Sequence, residues 1–495
     1  MELLRNISWQ ESMDSLETIL ASVEMPDTIH ERISVFEDII IDAFIHIVIG
    51  NRIPALTIYF DMVLQRYPQL RSQIKNQLGQ FGVKALAGVP VVMLKDVDSD
   101  IVRACLPSLI PMLLHHLLEV VSDKIESKTL AERFNISDEF ASEFAKNAYE
   151  MMGGRSFEDI QHQATLYLNS LDIHELDLSQ LDPQFNALFG GDNIRYLFSK
   201  SDYTISALDM GQIGYVAQNP IKCLLLFNLI VIENATHHLH HAYIWTRDNQ
   251  LIDCGSAELF NFAMQSLCAR YFSVAVTHDP GYSSMDLHHA IETRADSILT
   301  NYTMSCVISA LAVANEAYQK QLQAEQYEIE NLIHYGTQLI GLANDCGFRL
   351  LRLTESEIRQ ELQKLMQLEA YPRPSEDDNR IVFLHQQAKR GQLEQRYLAL
   401  FPIIKDIAKG EHNLALDCQF DPTLEGWDRV VDNVIKLSEQ FQSIETTFQQ
   451  YADSIQFKEV ARLIENFIQY NYQIYDLGAD YDHQLPVIEH LEIMK

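Results

Sequence analysis

Three histidine-bearing stretches stand out in this chain: His237-His238-Leu239-His240-His241, His278-Asp279 and His288-His289. Imidazole is a common ligand for zinc and iron, and His237 and His241, four positions apart, would share one helix face. Without an intervening Glu or a third ligand at a fitting offset, the same pair also suits a partly exposed helix start. Its role would then be hydrogen bonding or a pH-dependent charge. Asp96-Val97-Asp98-Ser99-Asp100 alternates carboxylates as calcium loops do, but lacks the glycine and the distal Glu at the required offsets. It reads as a solvated helix start. His278-Asp279 runs straight into Pro280-Gly281, a strong turn signal. There is no Gly-rich phosphate loop, no Gly-x-Ser-x-Gly and no His-Glu-x-x-His. The seven cysteines (Cys105, Cys223, Cys254, Cys268, Cys306, Cys346, Cys418) are scattered and never spaced Cys-x-x-Cys. That is the usage of buried, reduced thiols rather than of a disulfide frame or a zinc site.

The elements that would position these residues are helical. From residue 11 to about 180, apolar residues recur at steps of three and four, as in Leu109, Ile110, Leu113, Leu114, Leu117 and Leu118, which places them on one helix face. Pro26, Pro54, Pro68, Pro90 and Gly153-Gly154 punctuate the pattern into six to eight expected helices. Thr129–Phe140 has the spacing of a helix-turn-helix, but Asp138, Glu139 and Glu143 would face phosphate, so a structural helix pair is expected. Asp182-Pro183 and Gly190-Gly191 mark a boundary near 180. Glu369–Asp378, rich in proline and acid, marks another near 370. Beyond it, Val430, Val434, Leu437, Phe441, Ile444 and Phe448 form a clear amphipathic run. The expected organisation is an all-α, multi-domain helical bundle: 1–180, 181–370 and 371–495.

Composition narrows the function classes. The net charge is -32, with 69 Asp+Glu against 37 Lys+Arg and no run of basic residues. Phosphate backbones need clustered cations, so nucleic acid is not an expected partner, and anionic membrane is disfavoured for the same reason. The longest apolar runs, near 39–49 and 223–232, are about a dozen residues, too short for a spanning helix of roughly 20. The first residues show no basic region followed by an apolar run. The expectation is a cytoplasmic protein without a membrane segment.

One stretch, residues 182–368, carries a family pattern. Ile213–Pro220 opens it, with Asn219 placed to cap and Pro220 at the first helical position, where its missing N–H costs nothing. The apolar helix Ile221–Ile232 follows, then His289–Ala295, then Gly341-Leu342-Ala343-Asn344-Asp345-Cys346-Gly347. Taken in this order the segment resembles the HDOD domain, a degenerate relative of the HD metal-dependent phosphohydrolases. Asn219 stands where the family carries Asp, and Asn344 where it carries His. His289 and Asn344 are 55 positions apart (344 − 289), so the resemblance requires a loop or helix extension around Gln319–Glu330.

The resemblance implies a helical scaffold and, with Asn344 at the imidazole position, a broken metal site, because an amide oxygen is a weak donor. The expected function is a non-catalytic signalling or regulatory scaffold, with no cofactor, that binds a protein partner (a basic one suits the charge) or a small nucleotide. Asn344, Asp345 and His289 would be the degenerate signature; Asn219, Pro220, Gly341 and Gly347 would be structural. Gly347 sits where a helix could end or another could approach. The alternative is an active phosphohydrolase in which His241, His278, Asp279 and Asp345 hold a divalent metal that generates hydroxide and clamps phosphate. A further alternative is a class I terpene synthase-like enzyme, which Arg294 followed 50 positions later by Asn344-Asp345 also resembles. Phe348 and Arg352 would then occupy the positions of its other magnesium ligands.

Overall fold

The computed structural model describes residues 18–43, 83–124, 280–368, 379–409 and 411–476. Helices make up 81% of these residues and none lies in a strand, so the protein is all-α. The chain forms two compact units, one of Met1–Val91, Val97–Ala257 and Val313–Asn315, the other of Val92–Asp96, Glu258–Ala312 and Glu316–Lys495. The helix-turn-helix-like stretch, the His237–His241 cluster, Asn219, Pro220, His278, Asp279 and the 369–378 linker lie outside the described residues.

In the first unit, α1 (Ile29–Ala43) packs against α3 (Ser99–Lys124), and α2 (Val83–Met93) precedes the latter. The alternating acidic segment is a helix start: Asp98 Oδ1 accepts the Asp100 N–H at 2.9 Å, and Ser99 joins Asp27 to Arg32. Arg32 also donates to the carbonyls of Pro26 and Val97, which satisfies a guanidinium that burial would otherwise penalise.

The second unit contains α4 (Leu287–Asp296), α5 (Thr300–Ala314), α6 (Glu316–Ala324), α7 (Gln326–Cys346), α8 (Phe348–Leu351), α9 (Glu355–Met366), α10 (Asn379–Lys389), α11 (Phe401–Lys409), α12 (Leu414–Asp417), α13 (Gly426–Ser454) and α14 (Lys458–Asp476). A 3-10 turn, Pro280–Ser284, follows His278-Asp279, as the Pro-Gly pair requires. The interval that the resemblance fills with an extension is helical: α6 and α7 meet at Glu325, whose carboxylate caps the Gln456 and Phe457 amides.

α7 is the spine of this unit. It packs against α4, α11, α13 and α14. The compact unit therefore runs across residue 370, where composition suggests a boundary. Two glycines permit the close neighbours. At Gly336 an added Cβ would meet Ile464 at 3.2 Å and Ile468 at 3.3 Å of α14; at Gly341 it would meet the Ala295 backbone of α4 at 3.5 Å. Five residues at about 100° each put these glycines roughly 140° apart around the helix, so they serve different partners. The amphipathic run from Val430 to Phe448 on α13 is buried as its spacing requires. On α9, Thr354 and Glu357 form a reciprocal capping box.

α5 is buried on nearly every side, including Thr300, Asn301, Thr303, Ser305 and Ser309. Thr303 and Ser309 turn their hydroxyls back to carbonyls four residues earlier, at 2.8 and 2.7 Å. No single described helix is long and apolar enough to cross a membrane.

Gly347 stops α7. Its φ of 85° is open to glycine, its N–H donates to the Ala343 carbonyl at 2.8 Å, and a Cβ there would press on Pro402 at 3.2 Å. Gly391 also has positive φ (65°) but has open space around it. We expect Gly347→Ala to destabilise the protein by about 1–3 kcal/mol, and Gly391→Ala by about 1 kcal/mol, in urea unfolding.

Candidate functional site

Asp345, in the last turn of α7, is the focus of the polar residues that sequence pattern brought forward. Its side chain has no exposure. Arg294 of α4 grips it as a fork: Nη2 lies 2.8 Å from Oδ1, and Nε lies 3.0 and 3.1 Å from the two oxygens. Asn344 Nδ2 adds a bond to Oδ1 at 3.1 Å, and the Leu414 N–H donates to Oδ2 at 2.9 Å. A carboxylate offers about four lone-pair sites, so these donors use its whole capacity. Burial works against the Arg294 charge, but the carboxylate of Asp345, its hydrogen bonds and the charge of Asp406 outweigh it and hold the guanidinium firmly protonated.

The rest of the cluster comes from residues that the sequence patterns did not single out. Lys405 of α11 donates to Asn344 Oδ1 at 3.1 Å and lies 3.1 Å from Asp406. Asn413 Nδ2 donates both to the Asp345 carbonyl and to Asp406 Oδ2, each at 2.7 Å. Its Oδ1 caps α12 by accepting from Ala415 and Leu416. The signal for Lys405 and Asp406 was local. In Phe401–Lys409 they sit between Phe401, Ile403, Ile404 and Ile407, all buried, and they are buried with them. Charges held in such a run need partners within the core.

The neighbouring groups are held in their neutral forms. Burial raises the Tyr282 hydroxyl, with Cys418, Asp345 and Asp417 adding to the effect; its O–H donates to the Ala290 carbonyl at 3.1 Å. Burial raises the Cys346 thiol well above its ordinary range and, with Asp417 and Asp345, pushes Cys418 up to about 12. Neither sulfur has the thiolate character that nucleophilic chemistry requires. The described cysteines, Cys105, Cys306, Cys346 and Cys418, are buried free thiols.

His289 belongs to a different setting. Its side chain is 69% exposed on α4, and Nδ1 lies 2.5 Å from Asp286, the N-cap residue of that helix. Hydrogen bonding and charge lower Asp286 and raise His289. His288 pairs with Glu292 at 3.4 Å, while His334 is lowered by burial and bonds to Gln338 at 2.9 Å. The structure thus brings Arg294, Asn344 and Asp345 together and leaves His289 at the surface with Asp286. Among the described residues no three His, Cys, Asp or Glu side chains converge to hold a metal.

Asn344, Phe348 and Arg352 do not line one continuous helix, because α7 ends at Cys346. Phe348 stacks on Tyr472 at 4.2 Å, and Arg352 lies over Phe348 and Phe441 and pairs with Glu445. These are packing roles.

No family model, curated protein or solved structure matches this chain.

The ion pair sets an expectation. Arg294→Met leaves a buried carboxylate short of its main partner and should destabilise the protein by about 3–5 kcal/mol. Arg294→Met with Asp345→Asn removes the stranded charge yet keeps an acceptor for the Leu414 amide. It should recover at least half of that loss in urea unfolding midpoints.

Proposed function

We propose that this chain is a non-catalytic regulatory scaffold of HDOD-like design that acts by binding, with a basic protein segment as the leading partner and a small nucleotide as the second. The observation that carries the reading is the use of Asn344 and Asp345. Asp345 spends its oxygens on Arg294, Asn344 and the Leu414 amide, and Asn344 spends its amide oxygen on Lys405. The signature-like pair ties α4, α7, α11 and α12 together, and the lone pairs that a catalytic cation would need are engaged. The excess of 69 acidic over 37 basic residues favours a cationic partner and a salt-sensitive association. The buried free thiols suit a cytoplasmic location.

The alternative, a metal-dependent phosphohydrolase, would draw on His241, His278 and Asp279 together with Asp345. Elemental analysis of the purified protein and a phosphodiesterase screen on nucleotides separate the two. The scaffold reading expects no stoichiometric divalent metal and no turnover. Tightly bound manganese, iron or magnesium, with nucleotide hydrolysis that disappears in His278→Ala, would sink it.

A further inference from the structure

Two large apolar side chains stand open to solvent among the described residues, Tyr327 at 67% and Phe383 at 54% exposure. Tyr327, Asn331 and Tyr335 follow at steps of four along α7, which places them on one face of the helix. The fold uses the backbone of Tyr327, whose carbonyl accepts from Asn331 Nδ2 at 2.7 Å, but leaves most of its ring in water. Tyr335, half-buried, stacks on the half-buried Tyr451 of α13, with ring centroids 5.6 Å apart and 29° between planes. His334 steadies Tyr335 from its own helix, 5.4 Å away at a steep angle. Burial raises the Tyr451 hydroxyl, and Tyr327, Tyr335 and Glu328 around it raise it further. Three phenol rings and a carboxylate therefore share one patch.

The charges that border this patch are negative or engaged elsewhere. Glu325 spends its carboxylate on the Gln456 and Phe457 amides, and Glu330 accepts from Gln326 at 2.8 Å. Lys458 donates to the Ala452 and Asp453 carbonyls at the end of α13, at 2.9 and 2.8 Å, and with Arg462 it bears on Glu465 of α14. Glu328 is paired with no cation among the described residues. An open phenol face beside such a carboxylate fits a guanidinium, which is planar and can stack on the ring while its N–H fork reaches the carboxylate. An ammonium has neither the plane nor the fork.

We propose that Tyr327, Tyr335, Tyr451 and Glu328 form a docking site for an arginine side chain of a basic protein segment, an inference that rests on the binding function proposed for this chain. The guanidinium covers the Tyr327 ring and donates to Glu328. Tyr335 and Tyr451, packed on each other, are the fixed side of the site. The net charge of -32 draws a cationic segment in, and the tyrosines select arginine within it.

Fluorescence polarisation of two labelled peptides on the full chain at low salt tests the site: an arginine–glycine repeat and a lysine–glycine repeat of equal length and charge. The arginine peptide should bind the more tightly. Tyr327→Ala, at a ring the core does not use, should weaken it about two- to fivefold and bring the two affinities together. Tyr327→Phe should keep the preference, and Glu328→Gln should weaken both peptides. Equal affinity of the two peptides for the wild type, or an arginine preference that survives Tyr327→Ala, overturns the site while the basic-partner reading stands. A loss in Phe383→Ala as large as that in Tyr327→Ala overturns it in the same way. Failure of both peptides to bind the wild type overturns that reading, and the site with it.

Discussion

The second unit depends on one buried ion pair, Arg294 with Asp345. Taking both charges out of water costs several kcal/mol each, and the return comes only because the fork is bidentate and the remaining lone pairs are met by Asn344 and the Leu414 amide. Such a pair adds little net stability but tolerates no loss of a partner. It fixes where α4 lies along α7, in concert with the close approach at Gly341. It also requires α12 to begin at Leu414, since that amide completes the carboxylate's shell.

From this constraint the second layer follows. Asn413 must sit between Asp345 and Asp406, and Lys405 must reach Asn344, so α11 is bound to the same end of the spine. Polar side chains of α4, α7 and α11 and of the α12 cap residue Asn413 are thereby joined to one another inside the core. A site that superficially resembles a cation-binding centre in composition is organised instead by a guanidinium, an ammonium and two amide groups. The exposed histidines of α4 stand apart, held by Asp286 and Glu292.

Much of the helical frame was legible in the sequence. The period-3.6 run on α13, the turn at Pro280-Gly281, the helix start at Ser99 and the helix end at Gly347 follow from local chemistry: apolar spacing, ring-locked φ, short acceptors for free amides and a backbone angle open to glycine. The site was legible only in part. Asn344, Asp345 and Arg294 drew notice by their types and spacing, whereas Lys405 and Asn413 did not, because the residues they join at the end of α7 lie 61 and 68 positions away; the one local trace was a pair of charges, Lys405 and Asp406, set in an apolar run.

The sequence by itself determined that the described chain is helical, strongly acidic and free of any helix fit to cross a membrane, since these properties are sums over local residues and their period. Only the tertiary structure decided what Asn344 and Asp345 do. A carboxylate's role depends on which donors reach it first. Here Arg294, 51 positions before it, and Leu414, 69 positions after it, meet in space at the end of α7 and leave Asp345 no open lone pair.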